Sequence, residues 1–175
     1  HARLQSPRHV PHQAHDMPMT IMRPFNSIGR APVNNRHFVV ERAITQALET
    51  GHISLHDPRP LRDFLFRTDH CAAYLAVVEH LAVANGQTFN ICTGEAWSIG
   101  DMARYVADYV WHNTTRRGGP EVTVDFAKTP DRPLDIPVLQ GSASWAKALL
   151  GWEPHYTIDG ALREAVEEWA SLLNK

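Results

Sequence analysis

Short apolar runs typical of β-strands alternate along this sequence with longer runs that have the 3.6-residue periodicity of helices. The clearest strand patterns are Met19–Met22 and Thr88–Cys92, and predicted helices at 36–50 and 70–85 lie between them. Such alternation is typical of α/β proteins, in which helices cover the faces of a sheet. The sequence therefore predicts an α/β fold.

The remaining patterns predict the limits of the domain and its other elements. Residues 1–16 show no periodicity and are predicted to form an irregular N-terminal arm, so the domain spans 17–175. Residues 26–35 are predicted to form a loop. The helix at 70–85 is predicted to be capped by Asp69 and to place four side chains on one face: Tyr74, Val77, Val78 and Leu81. Further elements are predicted at His52–His56, Phe64–Phe66, Glu121–Phe126, Ser142–Leu150 and Ile158–Leu173, with another helix capped by Ser98.

The charge balance argues against two classes of partner. The 175 residues carry 17 basic and 19 acidic side chains, a net charge of −2, and the longest basic run is Arg116–Arg117. Nucleic acids and anionic membranes are bound by basic patches, so neither partner is expected. The longest apolar run, Cys71–Val78, is far shorter than the roughly 20 residues that cross a bilayer.

The cysteines and histidines predict neither a disulfide framework nor a metal site. The two cysteines form no paired motif and no secretory signal pattern is present, so a reducing, cytoplasmic location is expected. His9, His12 and His15 could ligate a divalent metal together with Asp16. Because Pro11 interrupts any regular helical face in this segment, no metal site is predicted.

Three polar segments lie at or near the ends of predicted strands, where α/β proteins bind their ligands. Asn26 follows the first strand and could donate to a phosphate or sugar oxygen, or could only stabilise a turn. Arg62 is a second candidate, with a surface ion pair to Asp63 as the alternative. Arg132, between two prolines, is held on a stiff backbone that suits bidentate binding of a diphosphate.

The order of these segments resembles a known family. The motifs are MTIMRPFNSIG at 19–29, RPLRDFLFRTD at 59–69, FNICTG at 89–94 followed by Ser98-Ile99, RPLD at 132–135 and LGWEP at 150–154. From about Met17 to Leu173 the chain is similar to the C-terminal half of the NAD-dependent epimerase/dehydratase family, extended short-chain dehydrogenases that act on nucleotide sugars. The resemblance implies two strands of an incomplete Rossmann-type parallel sheet and a small helical substrate-binding subdomain with a short sheet.

The resemblance also implies roles for individual residues. Phe25 would lie near the nicotinamide of the cofactor, which is NAD or NADP in the family. The diphosphate of a nucleotide sugar would be bound by Arg62, Arg132 and Asn26. The ribose would be bound by Asp135, and the base would be flanked by the strand that contains Ile53 and Leu55. A histidine, His37, would lie nearby on the substrate side.

Two motifs of the family are absent from these 175 residues. No two of the ten glycines have the G-x-G or G-x-x-G spacing of a dinucleotide-binding loop. No tyrosine is followed by a lysine four residues later, as the family's catalytic Tyr-x-x-x-Lys requires. The chain therefore supplies no catalytic residue, and alone it is expected neither to bind NAD or NADP nor to transfer a hydride.

Two functions stay open at this point. The chain could be the nucleotide-sugar-binding portion of a 4,6-dehydratase or 4-epimerase, or a non-catalytic remnant that acts as a self-associating or protein-interaction module. In either case the two sheet strands would have exposed apolar edges. A homo-oligomer, or a second chain that supplies the missing half, is therefore expected to cover them.

Overall fold

A computed structural model describes residues 18–29, 38–114, 118–127 and 136–173. The strands within them are β1 (Ile21–Pro24), β2 (Asn26–Ile28), β3 (His52–Leu55), β4 (Leu61–Arg62), β5 (Phe64–Phe66), β6 (Thr88–Ile91), β7 (Trp97–Ser98), β8 (Thr123–Phe126) and β9 (Val138–Leu139). The helices are α1 (Val39–Thr50), α2 (Arg67–Glu79), α3 (Leu81–Ala84), α4 (Ile99–Asn113), α5 (Ser144–Leu150) and α6 (Ile158–Leu173). This mixture of helices and short strands confirms the predicted α/β class.

The strands pair in short and mostly parallel pieces. β1 pairs with β6, β2 with β5 and β3 with β8, all in parallel. β4 lies between β7, which is antiparallel to it, and β9, which is parallel. Because parallel neighbours end at the same edge, the residues after β1 and β6 lie together at the carboxyl edge of that pair.

Strand β5 joins two hydrophobic cores, because successive side chains of a strand point to opposite faces. Phe64 and Phe66 belong to the larger core, which contains the buried faces of α1, α4 and α6 and the side chains of β3. Leu65 belongs to a smaller core with residues of α2, β6 and α5 and with Trp152. The segment just before β5 is therefore anchored on both sides.

Helix α2 packs on a different face from the one predicted. Of the four side chains expected on its apolar face, only Val77 is buried, and Ala73 packs beside it in the smaller core. The opposite side of α2 and α3 carries exposed apolar residues, here called the α2 stripe: Tyr74, Leu75, Val78 and Leu81. Leu75 and Val78 are 63% and 62% exposed. A helix that is apolar on both sides gives no periodic signal for which side packs, so the sequence pattern was misleading here.

Two further local predictions were wrong. Asn26–Ile28 is strand β2 rather than loop, because it pairs with β5. Helix α2 begins at Arg67, so Asp69 lies in its first turn and does not cap it. The Asp69 carboxylate instead accepts hydrogen bonds from the backbone N–H groups of His155 and Tyr156, both at 3.0 Å.

Other local predictions were confirmed. Helix α6 has the predicted limits, and the Ser98 hydroxyl caps α4 by accepting the N–H of Asp101 at 2.9 Å. The strand expected at Glu121–Phe126 is present over its last four residues, as β8. The predicted arm, 1–16, lies outside the described residues. No helix in the described part of the chain has the length and apolar character needed to cross a membrane.

Candidate functional site

The candidate site lies at the carboxyl edge of β1 and β6. Phe25 follows β1 and donates its backbone N–H to Ile91, the last residue of β6, at 3.0 Å. The chain then continues into β2, which carries Asn26 toward β5. The first candidate segment predicted from the sequence, which contains Asn26, therefore lies at this edge.

Asn26 and Arg62 are brought to the same part of this edge. The side-chain Nδ2 of Asn26 donates to the backbone carbonyl of Asp63, the residue that follows Arg62, at 2.9 Å. Asn26 is also opposite Phe64 in the β2–β5 register. The Asn26 amide therefore binds the residue next to Arg62, although Asn26 and Arg62 are 36 positions apart in the sequence.

The Arg62 guanidinium is held by carbonyl groups. Its Nη1 donates to the carbonyl of Leu61 at 2.9 Å and to that of Ile136 at 2.8 Å. Both bonds fix the direction of a half-buried side chain, and strand β4 fixes its backbone between β7 and β9. Ile136 is the next residue in the sequence after Asp135, so the third candidate motif is joined directly to the segment that holds Arg62.

Asp63 is completely buried, with 0% of its surface exposed. Its Oδ1 accepts from the backbone N–H of Thr93 at 2.8 Å and from the Thr93 hydroxyl at 2.6 Å. Its Oδ2 accepts from the N–H groups of Gly94, at 2.9 Å, and Gly141, at 3.3 Å. The alternative of a surface ion pair with Arg62 was wrong, because this carboxylate faces inward to backbone donors.

Phe25, Cys92 and Gly141 form a tightly packed layer next to Asp63. A Cβ atom on Gly141 would lie 2.6 Å from both the Cys92 sulfur and the Cζ of Phe25. Burial, together with the charge of the nearby Asp63 carboxylate, raises the pKa of the Cys92 thiol to about 12. The thiol is therefore neutral at physiological pH and serves as a packing group.

The other predicted residues divide into two groups. Ile53 and Leu55 are on β3, and their side chains are buried in the larger core. A ligand at this strand would therefore meet its main chain or the half-buried Ser54 rather than these two side chains. His37, Arg132 and Asp135 lie outside the described residues, so their roles stay predictions.

The sequence did not identify the buried aspartate that supports the site, or the residues that donate hydrogen bonds to it: Asp63, Thr93, Gly94 and Gly141. Their bonds to Asp63 span 30 to 78 residues of sequence, and no local pattern reveals such contacts. One signal was available, because a short Thr-Gly turn directly after a buried strand is a common place for backbone N–H groups to converge. Within the described ranges, no group of three or more His, Cys, Asp or Glu residues could hold a metal ion.

Comparison with known proteins gives consistent matches at the level of family and fold. A protein-family model described as GDP-mannose 4,6 dehydratase matches residues 9–165. The chain is 27% identical over 159 residues to GDP-6-deoxy-D-mannose reductase of Pseudomonas aeruginosa, covering 86% of this chain and 48% of that protein. It is 25% identical over 157 residues to dTDP-glucose 4,6-dehydratase of Xanthomonas campestris pv. campestris, covering 89% of this chain and 44% of that protein.

Solved structures share the fold. An epimerase from Methanothermobacter thermautotrophicus superimposes with a TM-score of 0.78 at 19% identity, covering 93% of this chain and 46% of that one. UDP-glucuronic acid 4-epimerase from Bacillus cereus, solved with UDP-glucuronic acid and NAD, gives a TM-score of 0.74 at 24% identity, with 92% and 48% coverage. The chain therefore spans about half the length of the relatives it matches.

Proposed function

Because the chain belongs to the GDP-mannose 4,6 dehydratase family, we propose that it forms the nucleotide-sugar-binding part of an NAD-dependent epimerase or dehydratase. One observation carries this proposal: the Asn26 amide binds the backbone carbonyl of Asp63, the residue next to Arg62, so two residues from distant parts of the sequence are attached to one junction. An amide N–H donor and a guanidinium are both suited to the oxygens of a diphosphate.

The remaining substrate contacts are proposed from the family pattern. Arg132 is the second cation on the diphosphate, Asp135 reaches the ribose, and His37 lies on the substrate side. The strand that contains Ile53 and Leu55 flanks the base through its main chain, since both side chains are buried. A charge-assisted hydrogen bond from an arginine contributes about 1.5–3 kcal/mol, so two arginines together are sufficient to determine where the diphosphate binds.

The described residues do not fit the pyrophosphate of a dinucleotide cofactor. A dinucleotide pyrophosphate binds at a helix N-terminus that follows a glycine-rich loop. The described helices α1, α2, α4 and α5 are instead preceded by Phe38, Phe66, Ser98 and Ala143. We therefore propose that the described residues do not hold the NAD or NADP pyrophosphate, and that Phe25 lies on the side that would face the nicotinamide.

The α2 stripe supports a further proposal about partners. Among the described strands only β6 pairs with β1, and the stripe leaves large apolar side chains in water. We propose that another polypeptide covers these surfaces, either a second copy of the chain or a chain that supplies the other half. Both cysteines are free thiols, which supports the proposal of a reducing, cytoplasmic compartment.

Calorimetric titration with UDP-, dTDP-, GDP- and CDP-glucose tests the binding proposal. We expect saturable binding of one nucleotide type, weakened about 10- to 100-fold in Arg62→Ala, as the loss of a charge-assisted bond predicts. Arg163→Ala is the matched control, because that arginine pairs with Asp159 on the exposed face of α6. Its affinity should stay within about twofold of the parent chain.

Two results would contradict the proposal. A folded sample that binds none of the four nucleotides would show that these residues do not form the site. Equal binding by the parent chain and Arg62→Ala would place the ligand elsewhere. The first result would favour the alternative that the chain is an interaction module.

A further inference from the structure

We propose that Asp63 is the positioning residue of the nucleotide-sugar site, a role that rests on the function proposed above. It does not touch the ligand. Its buried carboxylate and its backbone together hold three chain segments in one arrangement, and that arrangement directs Asn26 and Arg62 toward one diphosphate.

The carboxylate connects the junction between β4 and β5 to two distant loops. Oδ1 takes two hydrogen bonds from Thr93, in the turn after β6, and Oδ2 takes one each from Gly94 and Gly141. All four donors are neutral. In the described part of the chain, no charged side chain contacts this carboxylate, so backbone N–H groups and one hydroxyl balance its charge.

The backbone of Asp63 extends the same junction to the binding residues. Its N–H donates to the carbonyl of Leu139 at 2.9 Å, and its carbonyl accepts the Asn26 amide. Arg62 is the preceding residue, and its guanidinium is fixed by the carbonyl of Ile136, just before β9. A shift of Asp63 would therefore move both proposed diphosphate contacts together.

Only a carboxylate satisfies this arrangement. Each oxygen faces at least one backbone N–H group, so an asparagine at position 63 would place its NH₂ group against a backbone donor in either amide orientation. The Thr93 hydroxyl alone can turn to accept from an NH₂ group. Asp63→Asn keeps the size of the side chain but breaks at least one of the three backbone bonds. It is a sharper probe than alanine, because it adds no cavity.

The first test compares nucleotide affinity in Asp63→Asn with two controls. Asp69→Asn changes another buried carboxylate, whose two described bonds use a single oxygen that an amide can replace. Ile44→Ala shortens a core residue of α1 and lowers stability without touching the site. At a temperature where all variants are folded, we expect Asp63→Asn to bind at least about tenfold more weakly, and both controls to bind within about twofold of the parent chain.

The second test separates positioning from general structural support. Asn26→Ala removes a proposed ligand contact that depends on Asp63 for its direction. If Asp63 acts through Asn26, the double variant loses no more affinity than Asp63→Asn alone, whereas independent effects would add.

Each outcome of these tests decides the inference. Full additivity, or normal binding by Asp63→Asn while Arg62→Ala binds weakly, would overturn the positioning role and leave the proposed function intact. Weak binding by Ile44→Ala equal to that of Asp63→Asn would also overturn it, because lost stability would then explain the effect. Absence of binding in the parent chain would overturn the proposed function together with this inference.

Discussion

Gly141 illustrates how closely single residues are packed beneath the site. Its backbone N–H donates a hydrogen bond to the Asp63 carboxylate. The space that a Cβ atom would need is filled by the side chains of Phe25 and Cys92. Any other residue at this position would have to displace an aromatic ring or a thiol. The glycine is thus required by close approach rather than by an unusual backbone conformation.

Gly141→Ala is therefore expected to lower the free energy of unfolding by about 1–3 kcal/mol, the usual range for overpacking a core. Urea denaturation followed by tryptophan fluorescence measures the change. Gly160→Ala is the control, because the nearest atom to its new Cβ is the rotatable Thr157 hydroxyl oxygen at 3.1 Å. An unchanged midpoint for Gly141→Ala would contradict the described packing.

For single residues, the sequence identified the candidates for ligand binding but not the buried residues that hold them in position. Asn26 and Arg62 could be singled out because they are polar residues at the ends of strand patterns. Asp63 could not be assigned correctly, because an Arg-Asp pair in sequence is most often a surface pair. Its burial is decided by Thr93, Gly94 and Gly141, and contacts over such distances leave no trace in local periodicity.

Among the elements, α2 depends on a turn that is distant in sequence. Asp69 in its first turn accepts the N–H groups of His155 and Tyr156, while its backbone carbonyl accepts the indole N–H of Trp152 at 3.2 Å. These bonds attach the segment before α6 to α2. They also explain why a residue predicted as a local cap has a long-range role.

Asp69→Ala should lower the free energy of unfolding by about 1–3 kcal/mol, because it leaves backbone donors without their acceptor. Asp69→Asn keeps an acceptor oxygen and should cost less. Chemical denaturation of both variants gives the comparison. Equal midpoints for the parent chain and Asp69→Ala would contradict this account of how α2 and the turn are joined.

How well each helix or strand could be predicted depends on its pattern of apolar and polar residues. Helix α6 was predicted to its limits because one face is apolar and the other is rich in glutamate. Helix α2 was predicted in place but with the wrong packed face, because apolar residues occur all round it. Strand β2 was missed because three residues are too few to show alternation, and only pairing with β5 makes them a strand.

For the whole molecule, the family resemblance found in the sequence is confirmed by the family match over residues 9–165. Ordered motifs were sufficient for this, because those within the described residues lie at strands or at the ends of elements, namely 19–29, 59–69, 89–94 and 150–154. The assembly could not be predicted as securely. An exposed apolar surface indicates that something covers it, but the pattern does not name the partner.

The α2 stripe leads to a prediction about assembly. We expect light scattering of the purified chain to show a mass above that of the monomer, rising with concentration, and we expect Leu75→Glu to reduce it by placing a charge in the contact. Glu79→Gln, at the end of the same helix, is the control and should leave the mass unchanged. A monomeric mass at every concentration would show that the stripe is not a surface for self-association.

The most direct test of the central claim is to map backbone amide NMR shifts while UDP-, dTDP-, GDP- or CDP-glucose is added. If the nucleotide sugar binds at the carboxyl edge of β1 and β6, the largest shifts will fall on Asn26, Arg62, Thr93, Gly94 and Ile136. Shifts confined to the α2 stripe, or no shift with any of the four nucleotides, would contradict the proposed site.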